Sequence, residues 1–124
     1  MQTINTAHAP AAIGPYSQAK VLGNLLYRAG QIALVPGTME FLNGSIEAQT
    51  EQVIKNLTAI LVEAGSDWSK VLKTTVFLTD LSEFGPFNAA YERLLGSAKP
   101  ARSTVQVGAL PKGAKVEIEL IAAV

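Results

Sequence analysis

The chain has 124 residues, 48% of them apolar and 16% charged, enough for one domain (residues 1–124) with its own core and too few for two. Lysine plus arginine balances aspartate plus glutamate at 10 each, which argues against a general nucleic-acid or membrane binder, since either would carry a net basic face. Cysteine is absent and His8 is the one histidine, which excludes disulfides, thiolate chemistry and a histidine-built metal site. No apolar run reaches membrane-spanning length. Met1–Asn5 lacks the basic and apolar regions of a secretory signal, so a cytoplasmic location is expected.

In chain order, Thr3-Ile4 reads as a short edge strand. His8 to Tyr16 holds two prolines and a glycine and is a loop of restricted geometry. Tyr16 at its end either fills core with a wet phenol tip or donates to a ligand. Ser17 to Val21 and Leu25 to Ala29 form two strands across the turn Leu22-Gly23-Asn24. Gly30 and Gln31 end the second strand. The missing side chain at Gly30 marks a bulge or lets backbone N–H approach a ligand. Ser45 to Ala64 is the clearest helix. Val53, Ile54, Leu57, Ile60 and Leu61 share one face, Ser45 caps the start and Gly65 stops the end.

Val71 to Thr79 carries bulky residues on both faces, as a central strand does. A second helix lies within Ser82–Leu95, with Phe84, Phe87, Tyr91, Leu94 and Leu95 on one side. Pro86 sits in its first turn, and Asn88 is polar among these neighbours. The chain closes with two strands joined by a Pro/Gly loop. Arg102, Thr104 and Gln106 alternate with Ser103, Val105 and Val107. Lys115, Glu117 and Glu119 alternate with Val116, Ile118 and Leu120. Paired as a hairpin, their polar faces coincide, which sets Arg102 and Glu117 on one surface with Thr104 between them. A guanidinium grips a carboxylate or phosphate through two hydrogen bonds, and a carboxylate positions or deprotonates water. On spacing alone, an ordinary surface ion pair is the favoured account of the same residues, since such pairs are common and weak. Two amphipathic helices and one mixed sheet predict an α+β two-layer sandwich. Its uncovered sheet face must be polar, covered by loops, or buried against other subunits. The low charged fraction favours the last.

Four segments together resemble the Rid family of reactive intermediate deaminases, also called YjgF or L-PSP. They are Ala11-Ala12-Ile13-Gly14-Pro15-Tyr16-Ser17-Gln18, Ala29-Gly30-Gln31-Ile32, Lys73 to Leu78 leading to Asn88-Ala89-Ala90-Tyr91, and Pro100-Ala101-Arg102-Ser103 through Gly108, Leu110 and Val116-Glu117-Ile118. The resemblance runs over essentially the whole chain. It implies a chorismate-mutase-like fold and a homotrimer with a central β-barrel and sites between subunits. Arg102 would grip a substrate carboxylate, helped by the Gly30 N–H, and Glu117 would hold the attacking water. Tyr16 would line the site and Asn88 would lie near it. Thr104 stands where the archetypal active branch often has cysteine.

The implied activity is 2-iminobutanoate/2-iminopropanoate deamination. Reactive enamines and imines released by pyridoxal-dependent dehydratases would be hydrolysed to 2-oxo acids and ammonia, with no metal or organic cofactor. The expected partners are a small 2-imino or 2-oxo carboxylate and two further copies of the chain, with no membrane and no nucleic acid. Two other classes stay open: a regulatory protein that senses 2-oxo acids, and an endoribonuclease or translation inhibitor. Charge balance and the lack of a histidine constellation count against the last.

Overall fold

The computed structural model describes residues 1–124. Its elements are β1 (Gln2–Ile4), β2 (Ala19–Leu22), β3 (Leu25–Gln31), α1 (Ile46–Glu63), β4 (Val71–Leu78), α2 (Phe84–Leu95), β5 (Ala101–Gln106) and β6 (Val116–Ala123). The strands form one sheet in the order β1-β2-β3-β6-β4-β5. Every pairing is antiparallel except β4 with β5. The expected α+β two-layer sandwich is what forms, with both helices on one face of a mixed sheet.

The core lies between that face and the helices. Val53, Leu57, Ile60 and Leu61 of α1 and Phe87 of α2 are fully buried with Leu26, Val76, Leu78, Val116 and Ile118 of the sheet. Each such side chain contributes about 1.5–3 kcal/mol by leaving water. The Ser45 hydroxyl caps α1 by accepting the Ala48 N–H at 3.1 Å, and Gly65 leaves the helix at φ 73°, a left-handed turn that a side chain would strain. Three polar side chains of α1 are also fully buried; Thr50 bonds back to the Ile46 carbonyl within the helix, and the other two each peg a loop. Gln49 accepts the Lys115 N–H at 2.9 Å and donates to the Gly44 carbonyl at 3.1 Å. Asn56 donates to the Leu34 carbonyl at 2.8 Å. These bonds fix the chain just before β6 and just after β3.

The final hairpin does not form. β5 and β6 both pair with β4, one on each side of it. The connection from β4 to β5 runs through α2, and a strand-helix-strand unit of this kind returns parallel to its first strand. The Pro/Gly loop after β5 then has to carry the chain past β4 before β6 can begin. Register decides the faces. Arg102 pairs with Thr74 and Thr104 with Val76, both fully buried, so Arg102 and Thr104 point to the helix side. Glu117 pairs with Phe77 and Glu119 with Thr75, on the opposite, bare side. Arg102 and Glu117 of one chain therefore lie on opposite faces of the sheet. The polarity assigned to β5 is also reversed, since Val105 is exposed. Tyr27, Ile121, Phe77 and Val105 share the bare face, which is where the sandwich lacks a cover.

Candidate active site

Glu117 is half-buried on the bare face, and its carboxyl is held above the usual carboxylate range, first by burial and then by the neighbouring charge of Glu119. What it faces is set by a β-bulge. Arg28 pairs with Leu120 and Gln31 with Ile118, so Ala29 and Gly30 together stand against the single residue Glu119. The bulge turns Gly30 onto the Glu117 side chain. A Cβ on Gly30 would sit 3.0 Å from the Glu117 carboxyl carbon and 3.1 Å from Oε2, close enough that the Glu117 side chain would have to give way. Glycine is here for close approach.

A cavity of about 340 Å³ opens over this pair, bounded by Tyr16, Arg28, Gly30, Lys112 and Glu117 among others. Tyr16 is 54% exposed and its hydroxyl accepts the Ile13 N–H at 3.3 Å. It is a wall of the cavity and not core filling. The two non-glycine residues with left-handed backbone, Met39 (φ 60°) and Lys112 (φ 58°), both line this cavity. Such strain collects where surrounding structure holds a functional shape.

Arg102 stands in a different setting. Its Nη1 donates to Asn88 Oδ1 at 2.7 Å. Its guanidinium carbon lies 4.9, 5.5 and 5.9 Å from the ring centres of Tyr91, Phe84 and Phe87, where the rings' negative faces attract a cation. Tyr91 is held in turn by a 2.8 Å bond between its hydroxyl and that of Thr74. Burial holds its phenol above the usual range, outweighing the opposing effects of that bond and of Arg102. Thr104 stands on the same strand face as Arg102, and its buried hydroxyl has no partner within the chain. A second cavity, of about 420 Å³, opens beside Arg102 between the end of α2 and the approach to β5, with Asn88 and Tyr91 in its wall.

The six candidates thus fall into two separate groups. Arg102, Asn88 and Thr104 make one; Glu117, Gly30 and Tyr16 make the other.

The family model described as endoribonuclease L-PSP matches residues 6–124. Regulator AldR of Lactococcus lactis is 52% identical over 124 residues, which is 100% of this chain and 98% of that one. The human 2-iminobutanoate/2-iminopropanoate deaminase is 43% identical over 121 residues, 98% of this chain and 88% of that one. The crystal structure of E. coli TdcF with bound serine superimposes with a TM-score of 0.95 at 39% identity, covering 100% of this chain and 99% of the other. This chain belongs to the Rid family. The relatives that share its fold carry both deaminase and regulator names.

Two parts of these candidate surroundings escape a linear reading. The aromatic cradle of Arg102 reads from sequence as an ordinary apolar helix face, because nothing in α2 says that β5 will run beneath it. Arg28 is the other. It is only 5% exposed, and burial lowers its guanidinium to about 10, still protonated at neutral pH. Strand alternation does not mark it, because Leu25 and Tyr27 on the other phase are as apolar as Leu26, yet a buried arginine is informative once seen.

Proposed function

We propose that this Rid protein is a 2-iminobutanoate/2-iminopropanoate deaminase, and that it works as a homotrimer in which the Arg102 half-site of one chain meets the Glu117 half-site of the next. The observation that carries this reading is the division of the site. A carboxylate clamp and a water-activating carboxylate stand on opposite faces of one sheet, so only a second chain can bring the two together. The bare sheet face, with Tyr27, Phe77, Val105 and Ile121, is the surface such an assembly would cover.

In this reading Arg102 holds the substrate carboxylate, oriented by Asn88 and its aromatic cradle, and the Gly30 N–H adds a second donor. Glu117 takes a proton from water as the oxygen adds to the C=N carbon. Both protons of that water end on nitrogen: one reaches it as the carbinolamine forms, the other passes from the carbinolamine hydroxyl as C=O forms and the C–N bond breaks, and ammonia leaves a 2-oxo acid. One water enters, and no electrons are gained or lost. The imine carbon is already electrophilic, so the chemistry calls for neither metal nor organic cofactor. Positioning plus a general base, worth about 10²–10⁴-fold, is enough. Similarity to the human deaminase supports this substrate class, and the serine bound in TdcF supports a small-carboxylate pocket.

The regulator name of the Lactococcus relative supports a second reading, in which the same cleft senses 2-oxo acids without turnover. A dehydratase-coupled assay separates the two, because a deaminase shortens the lifetime of 2-iminopropanoate and a sensor does not. Mixing two inactive variants tests the divided site. Arg102→Ala and Glu117→Gln chains, unfolded and refolded together, should regain up to about a quarter of wild-type sites, since one in four random interfaces unites both intact halves. No recovery from verified mixed trimers would place both residues in sites that do not join.

A further inference from the structure

In an ordinary strand, residues three apart point to opposite faces. The bulge of β3 puts Arg28 and Gln31 on the same face, and the two side chains bridge it, with Arg28 Nη2 donating to Gln31 Oε1 at 2.5 Å. Arg28 Nη1 donates at 2.8 Å to the carbonyl of Ala29, inside the bulge, and at 3.0 Å to the carbonyl of Gln18 on the approach to β2. Gln31 then donates to the Ile32 carbonyl at 2.8 Å, on the far side. Two of the three bonds that Arg28 makes end on the bulge or its flank, and the third ties that bulge to Gln18 on the neighbouring segment. No carboxylate is in ion-pair range of it, the only ion pair in the chain being Lys55–Glu51. Its Nε–H, also buried, has no partner. A desolvated cation without an anion is costly, and one placed only for stability would be better replaced by an apolar side chain. What the guanidinium alone supplies is a planar fork that reaches several acceptors at once.

We propose that Arg28 is a positioning residue: it locks the β-bulge that turns Gly30 onto Glu117, and so sets the geometry of the water-activating half-site through the backbone of β3. This rests on the deaminase reading for its kinetic readout but not for its binding readout. Arg28→Met keeps much of the side chain's bulk and removes the fork. Measured well below its melting temperature, it should show kcat/KM for 2-iminobutanoate lowered about tenfold or more, and 2-oxobutanoate should bind several-fold more weakly by calorimetry. Arg28→Lys should fall between, because an ammonium cannot span the Gln18, Ala29 and Gln31 acceptors together. Gln31→Leu removes one anchor, leaves Arg28 in place, and should give a smaller loss in the same direction. A folded Arg28→Met with kcat/KM and 2-oxobutanoate affinity within twofold of wild type, merely melting earlier, overturns the proposal. If Arg28→Met does not fold, wild-type values for both Arg28→Lys and Gln31→Leu overturn it equally. If wild type itself leaves the imine lifetime unchanged, the deaminase reading fails, while loss of 2-oxobutanoate binding in the Arg28 variants still supports the lock and retention of binding sinks it.

Discussion

Arg102 stands on the helix side of the sheet, bonded to Asn88 and flanked by three aromatic rings. Glu117 stands on the bare side, against a glycine, and accepts no hydrogen bond from its own chain. The first group is fixed before any ligand arrives. Its cradle belongs to the packed core, since Phe87 and Tyr91 are buried, so its orientation is as rigid as the helix. The second is left uncommitted, in a surround that favours its neutral form. A binding group gains from having its ordering cost met by the fold. A base gains from a pKa moved towards the working pH. On the proposed reading of Arg102 as clamp and Glu117 as base, opposite faces of one thin sheet meet both needs, because one face can be dry and packed while the other is partly open.

The largest effect should come from breaking the rigid side. Arg102→Ala should abolish measurable 2-oxobutanoate binding and lower kcat/KM about a hundredfold or more. Arg102→Lys should be nearly as poor, because a single ammonium cannot reproduce a two-pronged grip. Calorimetry and the coupled imine assay read both, with light scattering to confirm that the assembly is unchanged. A lysine variant close to wild type would mean that Arg102 contributes charge alone, and the cradle that aims it would have no bearing on function.

How legible this was depends on whether a feature is local. α1 could be read from its apolar stripe and its caps, and β6 from strict alternation, because both are fixed by periodicity. The partner of β5 could not, because pairing is a tertiary choice. Arg102 and Glu117 were picked out individually, and the error lay in joining their strands directly when β4 intervenes. That single insertion moves Arg102 to the other face and puts Phe84, Phe87 and Tyr91 around it. The bulge was one of two readings open at Gly30. Its depth against Glu117 follows only from the register of β3 on β6. Arg28 lies outside the motif segments, and alternation gives no sign of its burial, because Leu25 and Tyr27 make the opposite phase the more apolar one; its burial follows only from the placement of β3 between β2 and β6.

A smaller effect should follow from disturbing the open side without removing its base. In Gly30→Ala the new methyl would press on the Glu117 carboxyl carbon at 3.0 Å and on Oε2 at 3.1 Å. The carboxyl is the end of a flexible side chain, so it can swing aside and the fold should survive. The base then no longer faces the substrate, and a displacement of about 1 Å can cost up to about a hundredfold in rate. We expect kcat to fall about tenfold, more than the affinity for 2-oxobutanoate, since Arg102 is untouched. Equal losses in both would mean that the close approach serves binding, through the Gly30 backbone, more than it serves Glu117.

The smallest effect concerns Glu119, which raises the Glu117 pKa second to burial. Glu117 must be ionised to act as a base, so turnover is lost as pH falls through its pKa. Because that pKa is raised, the loss should begin at higher pH than for an ordinary carboxylate. Glu119→Gln removes the like charge two residues along the same strand face. The acid limb of kcat should therefore move to lower pH, with burial keeping it above the ordinary range, and the rate at neutral pH should hardly change. Stability carries the same sign. A carboxyl whose folded pKa exceeds its unfolded value loses stability as pH rises through that folded pKa, so relieving the repulsion should raise the neutral-pH melting temperature slightly and leave the acidic one as it was. A pH-rate profile of Glu119→Gln superimposable on wild type would show that the acid limb belongs to another group, and Glu117 would lose its standing as the base.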